Sequence, residues 1–137
     1  MIKKRYEQFE HTADVGITAY GKSMDELFAN AAAGMFSLIT DLRNVRQVGE
    51  YSIKLKADTP EELMVSWLSE LLYLHETQKL LFKSFKVKVV KDNLEAKVKG
   101  EEINRNRHRL HMMVKAVTFH MIEVNPKKGF MRVIFDI

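Results

Sequence analysis

The chain has 137 residues, 46% hydrophobic and 29% charged, which is enough to bury a core without disulfides or a structural zinc and leaves little room for disordered linkers. It contains no cysteine, which excludes disulfides, thiolate metal sites and a cysteine nucleophile. A formal net charge of +4 is a mild bias toward polyanions, and no run approaches the ~20 apolar residues of a membrane span, so the expectation is one cytoplasmic domain over residues 1–137 with no membrane partner.

Alternation in "RYEQFEH" and "DVGITAY" predicts two short strands, or one strand bent near Ala13, Asp14 and Gly16. In "SMDELFANAAAGMFSLITDL" Ser23 is a natural helix N-cap and Glu26, three residues on, would complete a capping box. Leu27, Ala31, Gly34, Met35 and Leu38 then recur on one helical face. "YSIKLKA" alternates as a strand, with Ile53, Leu55 and Ala57 on one side and Ser52, Lys54 and Lys56 on the other.

A second helix follows in "TPEELMVSWLSELLYLHETQKL", with Thr59 as N-cap, Pro60 at the first helical position and Glu62 three after the cap. Its apolar residues exceed what one face holds, so it is expected to be the more buried helix. "FKSFKVKVV" and "LEAKVKG" flank "KDN" as a hairpin; "MVKAVTFHMIEV" and "FMRVIFDI" follow as strands across the turn "NPKKG". The order is two strands, helix, strand, helix and four strands, which is an α+β chain with an antiparallel or mixed sheet and two main helices.

Two stretches carry groups capable of chemistry. "FEHTADVGI" holds Glu10, His11, Thr12 and Asp14 beside Gly16, an oxygen-rich set suited to a hard cation; from spacing alone it reads first as a polar loop between strands. In "VKAVTFH" Lys115 shares parity with Val117, Phe119 and Met121. It is therefore either a buried lysine that needs a carboxylate or anion, or a sheet-edge lysine with its ammonium in water. Lysines alternating with Phe and Val in "FKVKVVK" read as a half-buried strand with a solvated outer face. No phosphate-binding glycine loop, serine elbow or helical histidine pair is present, so an independent enzyme is not expected.

Taken together, "FEHTADVGI", "RH" at 107 and 108 ahead of "KAVTFH", and the terminal "VIFDI" resemble the archease family. The resemblance implies an α+β fold and a divalent-cation site made by Asp14, Asp136 and Ile137, the last through its terminal carboxylate. Calcium is the first expectation for the ion, with magnesium or manganese as alternatives. It further implies an accessory activator of the GTP-dependent tRNA-splicing RNA ligase, promoting guanylylation of the ligase and multiple turnover while joining no RNA itself. tRNA is a further candidate partner, indirectly through the ligase, with direct RNA contact left open.

Lys115, within the matched "KAVT", is the candidate for the ligase interface; His11 in the first motif and Asp41, at the end of the first helix, are further candidates. Asp41 attracts notice because a carboxylate is disfavoured at a helix C-terminus without a local partner. The alternatives are a basic RNA-binding module acting without a ligase, through Arg105, Arg107, Arg109 and the lysines of 83–99, and a metal-dependent hydrolase using Asp14 and Asp136.

Overall fold

A computed structural model of the chain describes residues 4–11 and 14–137, His11 by its backbone alone. Strands β1 (Tyr6–His11) and β2 (Asp14–Tyr20) form an antiparallel hairpin, which decides for two strands over one bent strand. Helix α1 spans Met24–Ile39, β3 Gly49–Lys56, and α2 Pro60–Gln78. Strands β4 (Leu80–Val90) and β5 (Asn93–Glu102) make the expected hairpin around Lys91 and Asp92. The last strands are β6 (Ala116–Val117), β7 (Glu123–Asn125) and β8 (Phe130–Asp136).

All pairings among these strands are antiparallel, and they divide into two sheets. One has the order β1-β2-β8-β6, with β7 also on β8; the other is β3-β5-β4. The α+β expectation holds, with two sheets where one was expected.

The helix starts follow their caps. Ser23 accepts from the Glu26 N–H at 3.2 Å and Thr59 from the Glu62 N–H at 3.1 Å, each satisfying one orphan donor of the first turn. The Glu26 carboxylate reaches past the cap to the Lys22 N–H at 3.1 Å, so the box at α1 closes one residue early.

The expectation about helix burial is reversed. α1 is the more buried helix, because it lies between the two sheets and must be apolar on opposite sides. A Cβ on Gly34 would come within 2.8 Å of Ile17 Cδ1 in β2 and 3.2 Å of Tyr6 in β1, so glycine lets the first sheet approach the helix closely. Phe36, on the other side, stacks on Phe85 and meets Phe82 edge-on, both in β4. α2 closes the core laterally, its indole Nε1 of Trp67 donating to the Phe28 carbonyl of α1 at 2.9 Å.

The long strand expected over "MVKAVTFHMIEV" is broken. Thr118 caps β6 by donating its hydroxyl to Ile134 O at 2.8 Å, the chain turns through residues 119–122 with Met121 at φ 55°, and β7 then rejoins β8. Five strands therefore follow α2, where four were expected.

Candidate functional site

The first motif is a hairpin shaped around its glycine. Gly16 faces Phe9 across the ladder, and a Cβ there would lie 2.3 Å from Phe9 Cζ, so the ring lies across the glycine backbone. The last pair of this ladder is His11 with Asp14; Thr12 and Ala13 lie outside the described residues.

On its other edge β2 pairs with β8, ending at Val15 opposite Phe135, both in the core. Asp14 and Asp136 are the next residues outward on these two strands. Such neighbouring positions in a regular antiparallel pair have Cβ atoms ~5 Å apart and side chains on one face. Strand alternation puts both on the face opposite Val15 and Phe135, where Asp14 is half-buried and Asp136 exposed.

The third motif arrives at the same level. β6 pairs Ala116 with Asp136 and Val117 with Phe135, and the Lys115 N–H donates to the Asp136 carbonyl at 2.8 Å. The fold thus brings His11, Asp14, Lys115, Asp136 and Ile137 to one end of one sheet from three distant parts of the chain. Lys115 itself is exposed just ahead of the edge strand β6, which decides for the sheet-edge reading over a buried lysine; Val117, two residues on, is half-buried against the core, and the alternation ends where the chain turns after Thr118. Met113 and Ile137 on its flanks are also exposed, at 73% and 41%.

Among the described residues no three His, Asp or Glu side chains converge, so the expected cation set there comes down to two aspartates and a main-chain carboxylate. These are hard oxygen donors, the chemistry that suits calcium or magnesium better than zinc.

Asp41 lies in a separate cleft lined by Tyr6, Ser37, Thr40, Leu42, Arg43 and His111. Its partner is Arg43, whose Nη2 donates at 2.7 Å and whose Nε donates at 3.1 and 3.2 Å to the two carboxylate oxygens; its own N–H adds a fourth bond at 3.0 Å. These bonds hold the Asp41 carboxyl at a pKa of about 2, well below the usual carboxylate range. The repulsion expected at the helix end is met by this local cation. The segment after Leu110 connects the cleft to the sheet end: Thr40 bridges Leu110, the His111 N–H donates to Ile39 O at 2.8 Å, and Lys115 is tied to Asp136.

The "RH" pair has a role that sequence reasoning missed. Glu101 and His108 are buried, 9% and 4% exposed, and Arg107 forms a two-pronged ion pair with Glu101. The His108 Nδ1 accepts from the Asn104 N–H at 2.9 Å, which leaves Nε2 carrying the proton to donate to Glu101 Oε2 at 3.0 Å and Asn44 O at 3.1 Å. Glu101 also accepts from the Arg46 N–H at 2.6 Å, and the Arg107 hydrogen bonds, with these others, hold its carboxyl at about 2. The network staples the basic loop onto β5 and the segment after α1. Arg107 is consumed by it, which removes that residue from the free cationic surface of the RNA-binding alternative. An acid at an outward-parity position of β5 followed by "RH" six residues later was the available signal.

The model of the archease protein family matches residues 6–137. The chain belongs to the archease family. Protein archease of Methanothermobacter thermautotrophicus is 41% identical over 140 residues, covering 98% of this chain and 99% of that protein. The archease of Sulfurisphaera tokodaii is 35% identical with 93% of each chain covered, and that of Methanosarcina mazei 37% identical over 92% of this chain and 90% of its own. The solution structure of protein 1598 of Methanobacterium thermoautotrophicum superimposes with a TM-score of 0.83 at 39% identity, covering 98% of this chain and all of that one. The archease α+β fold is therefore shared across the chain. Among the described residues no helix is long and apolar enough to cross a membrane.

Proposed function

We propose that this archease is an accessory activator of the GTP-dependent tRNA-splicing RNA ligase, promoting guanylylation of the ligase and its multiple turnover without forming the RNA bond. Membership of the archease family supports an accessory role in tRNA splicing. The observation that carries the finer reading is the meeting of Asp14, Lys115 and Asp136 at one sheet end, built from the three motifs on which the resemblance rests.

In this reading Asp14, Asp136 and the carboxylate of Ile137 hold a divalent cation, calcium first and magnesium or manganese as substitutes. The donor set fits: carboxylates on adjacent strands at one level repel each other in the free protein. When bound, the ion supplies charge compensation and fixes the two strand ends together. The Lys115 N–H pins the Asp136 backbone while its exposed ammonium stays available to a phosphate or carboxylate of the ligase. His11 borders the same end. Asp41, held ionised by Arg43, offers a second anionic contact beyond the segment 110–115. The action takes place in the cytoplasm.

The test is ligase guanylylation with radiolabelled GTP, with and without the protein. Asp136→Ala and Lys115→Ala are expected to lose stimulation while keeping the wild-type circular dichroism spectrum. Full stimulation by both folded variants would refute the assignment.

A further inference from the structure

The positive charge of the molecule is concentrated on one surface. In the sheet β3-β5-β4 the core-facing positions are Ile53, Leu94, Ala96 and Val98, and alternation sends the intervening residues to the opposite, uncovered face. That face presents Lys54 and Lys56 from β3, Lys86 and Lys88 from β4, and Lys97 and Lys99 from β5, all exposed. Against these six lysines stand the exposed Glu50 and Glu95; Glu101, at the same parity of β5, is buried and taken by Arg107 and His108. The surplus of four equals the formal net charge of the whole chain, +4, so the remainder of the molecule sums to neutral.

The arrangement is also unfavourable for the protein alone. Lys86 and Lys97 are directly opposite each other in the ladder, a like-charge pair that destabilises a sheet. Glu95 and Glu50 form ion pairs with Lys54 and Lys99, at 3.8 and 3.9 Å, and Glu95 also lies opposite Lys88 in the ladder; Lys56, Lys86, Lys88 and Lys97 take part in no ion pair among the described residues. Lysines recur every second residue, ~6.6 Å apart along each strand, on strands ~4.8 Å apart. The result is a grid of closely spaced ammonium groups, four of the six outside any ion pair.

We infer that this lysine face of β3, β4 and β5 binds the phosphate backbone of RNA. The other outward positions are Ser52, Ser84, Asn93 and Val90, so the face has no aromatic ring on which a base could stack and it reads backbone without sequence. Val90, at the hairpin end, is its one exposed apolar side chain, which is too little for insertion into a lipid surface. The choice of RNA among polyanions rests on the proposed role in tRNA splicing. In that role the face would hold the tRNA while the aspartate end engages the ligase.

The test is fluorescence anisotropy of labelled tRNA titrated with the full chain between 50 and 200 mM KCl, in the absence of any ligase. Four lysines outside any ion pair predict a slope of log K against log salt of about −3, a loss of about 60-fold across that range. Replacing Lys56, Lys86, Lys88 and Lys97 together by Gln should weaken binding at 50 mM at least about 30-fold and bring the slope above about −1, each lost phosphate contact removing about 0.7–0.9 of a unit. A variant with Arg105, Arg109, Lys127 and Lys128 changed to Gln removes the same charge elsewhere and should stay within about threefold of wild type, a control for net charge alone.

Absence of tRNA binding at 50 mM salt, equal losses in the two variants, or lysine-dependent binding to phosphatidylserine vesicles without binding to tRNA would each overturn the inference. Asp136→Ala should bind tRNA normally. A protein that activates the ligase but ignores tRNA thus refutes the lysine face alone, and one that binds tRNA but activates nothing refutes the ligase role alone.

Discussion

Removing the Glu101 carboxylate probes the staple under the basic loop. Glu101→Ala strands the part-buried Arg46 N–H, which had a 2.6 Å bond, and cancels the two-pronged Arg107 pair, while His108 Nε2 retains the Asn44 carbonyl. An orphaned buried donor costs ~1–3 kcal/mol and a charge-assisted bond contributes ~1.5–3. Arg107, with 29% of its side chain exposed, recovers part of its loss in water, which leaves a destabilisation of about 3 kcal/mol. For a chain of this length that corresponds to a fall in Tm of about 10 °C. Urea unfolding followed by Trp67, the single and fully buried tryptophan, reads it directly. The pH dependence has a defined sign: the Glu101 pKa is lowered from 4.5 to about 2 on folding, so its contribution is present above pH 4.5 and lost as pH falls toward 2. The stability gap between wild type and Glu101→Gln should therefore close across that window. A gap below about 1 kcal/mol at pH 7 for Glu101→Ala, or one independent of pH down to 2, would refute the reasoning.

Gly16→Ala should cost about 1–2 kcal/mol through the clash with the Phe9 ring, and the cost should largely vanish in a Phe9→Ala background, as a double-mutant cycle in urea would measure. Trp67→Phe removes the indole bond to Phe28 O and leaves a void between the helices; about 2 kcal/mol of stability should be lost, read by circular dichroism because the fluorophore is gone. Calcium at 100 times its Kd should stabilise the wild type by about 2.7 kcal/mol and leave Asp136→Ala unchanged, a comparison made by differential scanning calorimetry.

Much of the fold was legible because its signals are local. Ser23, Thr59 and Pro60 mark the helix starts, and the alternation around Lys91 and Asp92 marks the hairpin, with no knowledge of what lies across the core. The break after Val117 was not, since it turns on a single left-handed residue, Met121, in a run whose composition is that of a strand. Nor was the greater burial of α1, whose apolar residues on opposite sides have meaning only once a sheet is known to lie against each. At the candidate site the residues Asp14, Lys115 and Asp136 stood out from the motifs, but their common level depends on register between strands far apart in the chain. The lysine face was visible strand by strand as solvated alternation; that three such faces coincide, two of their lysines directly opposed, is a property of the sheet.

The division into two sheets orders the events of folding. The β4–β5 hairpin closes around two residues, and β3 joins it across the span of α2, so that layer can assemble early from nearby pieces. β8, by contrast, must insert between β2 and β6, pairing Val15 with Phe135 at the far ends of the chain, the costliest loop closure in the molecule. The aspartate end of that sheet therefore depends on contacts between the two ends of the chain. A ligase that depended on that end would engage only a chain whose two distant ends are already paired.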